Sequence, residues 1–219
     1  MALIPSSLVT KTTLASRRFQ AWSVRTLASE QPKPLFLWLG EGGSNTQNKL
    51  LLLPVPPPSK ATVISPNDVL EEVNSHYTQS HFVGGMGEED PGVFFASIGE
   101  RDSLEYSDLV QEGISLAKEE RHGIPFGLYT SGIVEGSSLP PLTELGLSTL
   151  QVSLFAGSPK EYAEATGRDE KSFGSVCSFI ADAVEQGMAV ECGVLEKYAG
   201  TARSLAVSLG AQEVHVFPK

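Results

Sequence analysis

The chain has 219 residues, 41% hydrophobic and 19% charged, a globular composition with room for one well-cored domain but little for two. Its formal net charge of −10 is unevenly spread, because residues 31–219 hold 12 basic and 25 acidic side chains, a net of −13. So acidic a body repels phosphate backbones, and no basic patch interleaved with aromatics offsets it, so nucleic-acid binding is not expected.

Residues 1–30 carry Lys11, Arg17, Arg18 and Arg25 against a single acid, Glu30. They are rich in Ser, Thr, Ala and Leu, and Leu8, Leu14, Phe19, Trp22 and Leu27 can line one side of a transient helix. This is the composition of an organellar presequence, mitochondrial with plastid as the alternative. The interruption at Lys11, Thr12 and Thr13 denies it the continuous apolar core of a secretory signal.

Gln31-Pro32-Lys33-Pro34 marks the junction with the fold, and residues 31–59 form a leader strand and a proline-rich connector. Two apolar runs compete for the first strand, one at 35–39 before Gly40-Glu41-Gly42-Gly43-Ser44, the other at 50–53 before Pro54 and Pro56-Pro57-Pro58. The glycine-rich turn lacks the lysine of a phosphate-binding loop and the spacing of a dinucleotide turn. Consecutive prolines are extended and exclude a helix. The apolar run at 50–53 is far short of the roughly 20 residues of a membrane helix, so no membrane span is expected.

From residue 60 the signals alternate. Ser65-Pro66-Asn67-Asp68 is a helix start with proline at the first helical position, followed by Val69, Leu70, Val73 and Tyr77. Residues 79–91 are polar and glycine-rich, a loop, and its His81, Glu88, Glu89 and Asp90 together with His76 lack the spacing of a metal site. A buried strand is expected at 92–98. A helix on Leu109, Val110, Ile114 and Ala117 then ends at Arg121-His122-Gly123.

Residues 125–129 read as a strand, 139–145 as a short helix stopped by Gly146, and 149–155 as a strand. Ser158-Pro159-Lys160-Glu161 is a second proline-containing cap. Phe173, Val176, Cys177, Ile180 and Val184 form the clearest helical stripe, stopped by Gly187. A strand at 188–195, a helix on Ala202, Leu205, Ala206 and Leu209, and a strand at 213–217 complete the chain. His215, inside that last strand, is accounted for by packing. Such alternation demands parallel pairing with right-handed crossovers. A doubly wound sheet and a partial barrel both satisfy it.

The order of the strand endings distinguishes them. Ile98-Gly99-Glu100, Thr130-Ser131-Gly132 and the stretch from Gln151 through Val152-Ser153-Leu154 to Ser158-Pro159 resemble, in that order, the strand endings of the radical SAM superfamily. The resemblance covers about residues 60–219 and is nearest to short members associated with TatD proteins. It implies an α/β fold, a partial parallel (β/α)6 barrel, with Gly99, Glu100, Ser131 and Ser153 near the S-adenosylmethionine (SAM) position. Where the family carries its Cys-x3-Cys-x2-Cys loop, between Leu39 and Pro58, this chain has no cysteine. Cys177 and Cys192 lack ligand spacing and read as buried apolar thiols.

These features imply a non-catalytic radical-SAM-like scaffold, an accessory or interaction subunit within an organellar protein complex. No cofactor is expected on this reading, neither an iron–sulfur cluster nor a bound metal, and SAM belongs to the alternative. The competing expectation is an enzyme or binder that keeps SAM, or a related metabolite, without its own cluster ligands. A third is a radical enzyme whose thiolates come from a partner.

Overall fold

The computed structural model describes residues 33–40, 50–79, 90–133 and 142–218. The expected presequence, the glycine-rich turn after Gly40 and most of the loop at 79–91 lie outside the described residues. Among the described residues, six strands form one parallel sheet: β1 (Leu35–Leu39), β2 (Val93–Ser97), β3 (Phe126–Thr130), β4 (Thr149–Phe155), β5 (Ala189–Leu195) and β6 (Glu213–Phe217). The helices between them are α1 (Pro66–Gln79), α2 (Ser107–Glu120), α3 (Pro159–Thr166), α4 (Glu170–Glu185) and α5 (Ala199–Ser208). No described helix is long and apolar enough to cross a membrane.

The sheet order is β1-β2-β3-β4-β5-β6, without reversal, and the sheet is open. A doubly wound sheet must reverse its order so that helices cover both faces. Here one direction of winding leaves every helix on the same face. The core records this. Leu37, Phe95, Leu128, Leu150 and Val190 stand in one row across five strands. They are fully buried with Val69 and Val73 of α1, Ile114 of α2, Val176 and Ile180 of α4 and Ala202 of α5. Burying an Ile, Leu or Phe so completely stabilises by about 1.5–3 kcal/mol each. The first strand is therefore the run at 35–39, and the run at 50–53 does something else.

Local chemistry explains the helix boundaries. The Ser65 hydroxyl accepts from the Asp68 N–H (3.4 Å), while the Asp68 carboxylate accepts from the N–H groups of Ile64 and Ser65 (2.9 and 2.7 Å). These bonds satisfy donors that a helix start leaves open, and they hold the Asp68 carboxyl below its usual range. The segment from 158 to 187 forms two helices. Gly167, at φ 75°, ends α3, and Asp169 accepts from the Ser172 N–H at 2.9 Å to begin α4. Of the short helix expected at 139–145, the described residues form a 3-10 turn at Leu142–Leu145.

Candidate functional site

The sheet face opposite the helices divides into two unlike halves. On β1 to β3 it is aromatic. Phe36 stacks on Trp38 and Phe94 with ring centroids 5.9 Å apart in each pair, and it meets Tyr129 at 5.8 Å. Gly127 makes room for this packing, because a Cβ there would lie 2.5 Å from the Phe94 ring. The run at 50–53 covers these rings as a strap. Leu51, 8% exposed, packs with Trp38, Ala96 and Tyr129, and Leu53 and Val55 border them. Farther across, the Leu52 N–H donates to Ser153 Oγ at 2.9 Å, and Leu52 lies against Gly193, where a Cβ would be 3.3 Å away. The connector is thus a layer of the fold.

On β4 to β6 the same face is largely polar, with Phe217 of β6 against Gly193. Tyr129, Gln151, Glu191 and Glu213 occupy one row in register. The Gln151 side-chain amide donates to Glu191. His215, on the next row of β6, places Nε2 at 2.5 Å from Glu191 Oε2 and 3.9 Å from Glu213 Oε2. Side-chain exposure is 8% for Glu191, 21% for His215 and 35% for Glu213.

The hydrogen bond to Glu191, against the opposing effect of burial, holds the His215 pKa above that of a free imidazole. Burial first, and the charge of Glu191 second, raise the Glu213 carboxyl. The same two causes in the same order raise the Tyr129 phenol. Glu191 is therefore an electrostatic centre on which three strands converge, and His215 serves it as a donor through Nε2.

At the C-terminal rim, where parallel α/β folds gather ligands, Gly99 takes φ 100° and leads to exposed Glu100. Two residues on, Asp102 is 4% exposed and accepts four hydrogen bonds. Leu104 N–H (3.0 Å) and Thr130 Oγ1 (2.6 Å) reach one oxygen; Ser131 N–H and Ser131 Oγ (2.7 Å each) reach the other. The Glu105 carboxylate returns to the Asp102 N–H at 2.8 Å, closing a capping box that starts a 3-10 turn at Ser103–Tyr106. Asp102 thus pins the end of β3 to the turn after β2.

A pocket of about 160 Å³ opens beside this pin, with Glu100, Asp102, Glu105, Ser131 and Arg168 in its wall. Of the four site residues expected from sequence, Glu100 and Ser131 meet in this pocket. Gly99 adjoins it in the chain, and Ser153 lies apart, under the strap. Asp102 and Ser131 are engaged with each other, and Glu105 is paired with Arg101 at 3.1 Å. Glu100 makes no hydrogen bond or ion pair with the described residues.

The sequence contained a sign of Asp102, the Asp102-Ser103-Leu104-Glu105 capping spacing. It contained none of the Gln151–Glu191–His215 grouping, which depends on strand register. Arg168 reaches the pocket only because the α3–α4 turn folds over the rim.

The cysteines belong to the other face. Cys192 is fully buried in the helix-facing core, with its thiol pushed up to about 12 by burial, and half-buried Cys177 on α4 packs against the same core. Comparison with protein-family models finds no match, and comparison with the curated proteins finds none either.

Proposed function

We propose that this chain is a non-catalytic scaffold of radical SAM type that serves as an accessory or interaction subunit of an organellar complex, in the mitochondrion, with the plastid as the alternative. The observation that carries this reading is the strap. A singly wound sheet offers ligands its helix-free face and the rim above it. In this chain Leu51 seals the aromatic half of that face, and the Ser153 hydroxyl is engaged by the Leu52 N–H.

The donor set does not fit an iron–sulfur cluster. Such clusters take thiolates gathered at one point, and Cys192 faces the helix layer, away from the rim. Anaerobic reconstitution with iron and sulfide is expected to leave no cluster absorbance after gel filtration.

The reading is tested by the mass of the native protein in organellar extract. A subunit migrates with a larger assembly, and migration at the monomer mass overturns the role. A fluorescent fusion that stays cytosolic removes the organellar part.

A second reading is favoured by the rim pocket. Its Glu100 carboxylate and Arg168 guanidinium match the amine and carboxylate of an amino-acid-like group, such as one end of SAM. At about 160 Å³ the pocket is smaller than the roughly 300–1,000 Å³ usual for whole ligands, so this reading stands second. Calorimetric titration with SAM separates the two. Saturable binding weakened about tenfold or more by Glu100→Ala, a loss of about 1.4 kcal/mol, would put the binder first.

A further inference from the structure

Among the described residues, Glu191, Glu213 and His215 bring ligand atoms within 4.8 Å of one another. From this convergence we infer that the polar half of the helix-free face is a binding site for one divalent transition-metal ion of the zinc type. Glu191, Glu213 and His215 are its protein ligands, and Gln151 orients Glu191.

Four observations support the assignment. Ligand atoms about 2.0–2.2 Å from a tetrahedral ion stand about 3.3–3.6 Å apart, a spacing the group brackets: His215 and Glu191 would part from 2.5 Å while Glu213 closes in from 3.9 Å. Glu213, at 35% side-chain exposure, has freedom to turn toward the other two ligands. The chemistry is mixed imidazole and carboxylate, a donor set that favours zinc over magnesium, which takes oxygen ligands and keeps its water.

The electrostatics call for a cation. Glu191 and Glu213 are directly opposed in parallel register on a partly covered face, and like charges so placed destabilise a sheet. Finally, Glu191 is already held by a side-chain amide from the adjacent strand. Metal-binding carboxylates commonly have such an orienting partner, which fixes the ligand before the ion arrives.

Binding exchanges one bond for another. His215 now uses Nε2 to donate to Glu191. To ligate through that nitrogen the ring keeps one proton, on Nδ1, and gives up the one on Nε2, the imidazolium to solvent and the neutral ring by tautomeric shift; the Nε2 lone pair and the Glu191 oxygen then turn to the ion. The result is a clip between the edge strand β6 and β5, with the remaining coordination positions open to water.

The test uses the full chain, freed of metal by a chelator and titrated calorimetrically with Zn²⁺ alone. One equivalent is expected to bind, with a rise in the thermal unfolding midpoint. Gln151→Leu, which keeps all three ligands, is expected to weaken binding by about tenfold, the usual effect of losing a ligand's orienting partner. His215→Gln and Glu213→Gln are expected to weaken it more. Co²⁺ in place of zinc is expected to give visible d–d bands that His215→Gln removes, a signature that a merely structural role for His215 would not produce. Circular dichroism of each variant establishes that it is folded. Two results would overturn the assignment: no saturable binding at millimolar Zn²⁺ by the folded chain, or one-equivalent binding that His215→Gln and Glu213→Gln leave unchanged. The first would make the cluster a hydrogen-bonded network only, and the second would place the ion elsewhere on this acidic protein.

Discussion

The two halves of the helix-free face share one sheet and one pleat, yet they solve the problem of exposure in opposite ways. On β1 to β3 the outward positions are Phe36, Trp38, Phe94 and Tyr129, and the chain buries them under its own residues 50–55. On β4 to β6 the outward positions include Gln151, Ser153, Glu191, Glu213 and His215, which bond to one another or to the strap, with Phe217 the apolar exception beside Gly193. The comparison teaches that a strap need not cover a whole sheet. It ends where the sheet supplies hydrogen-bonding partners instead of apolar area. Leu52 stands at the boundary, with its side chain against Gly193 and its N–H on Ser153.

If the aromatic half is core in all but position, its truncation should cost what core truncations cost. Trp38→Ala is expected to destabilise the fold by about 3–5 kcal/mol, measured by urea unfolding, and a loss under about 1 kcal/mol would show that the strap covers a surface the fold does not need. Leu51→Ala removes the covering side, and about 2–3 kcal/mol is expected from a site 8% exposed. The same variant should leave zinc affinity unchanged, because none of the three proposed ligands packs in the Leu51 cluster.

The polar half should respond to pH where the aromatic half does not. His215 binds its proton more tightly folded than unfolded, chiefly through Glu191. Its contribution is therefore fully present below the unfolded value of about 6.5 and is lost as pH rises through the higher folded value. In chelator, the wild type is expected to lose about 1.5 kcal/mol more than His215→Gln across that window, the low end for a hydrogen bond to a charged group. Parallel stability–pH curves for the two proteins would remove the distinction between the halves.

The boundary itself should give the smallest effect. Ser153→Ala leaves the Leu52 N–H without its acceptor, at a cost of about 1 kcal/mol. Amide exchange at Leu52 should quicken while exchange in β1 to β3 stays as it was. Uniform quickening across those strands would mean that Ser153 holds the whole strap, and that the two halves are one unit.

Local features were legible along the chain. Alternating strand and helix periods, the Ser65 and Ser158 starts and the glycine stops lie within a few residues of the elements they specify, so strands at 92–98, 149–155, 188–195 and 213–217 could be placed closely. It also supplied the strand endings that bring Glu100 and Ser131 to one rim, since parallel strands present the same end. Tertiary structure decided the rest. Winding in one direction is a property of strand order, and periodicity does not record order. The sequence left open whether 35–39 or 50–53 is the first strand, because a short apolar run suits a strand or a strap equally. Only the pairing of Leu35–Leu39 with β2, and the rings left facing outward, show which is which. The Gln151–Glu191–His215 grouping was invisible for the same reason. Its members lie 40 and 24 residues apart in sequence, and they meet because parallel register sets their strands side by side, while no rule of spacing along one chain predicts which rows coincide.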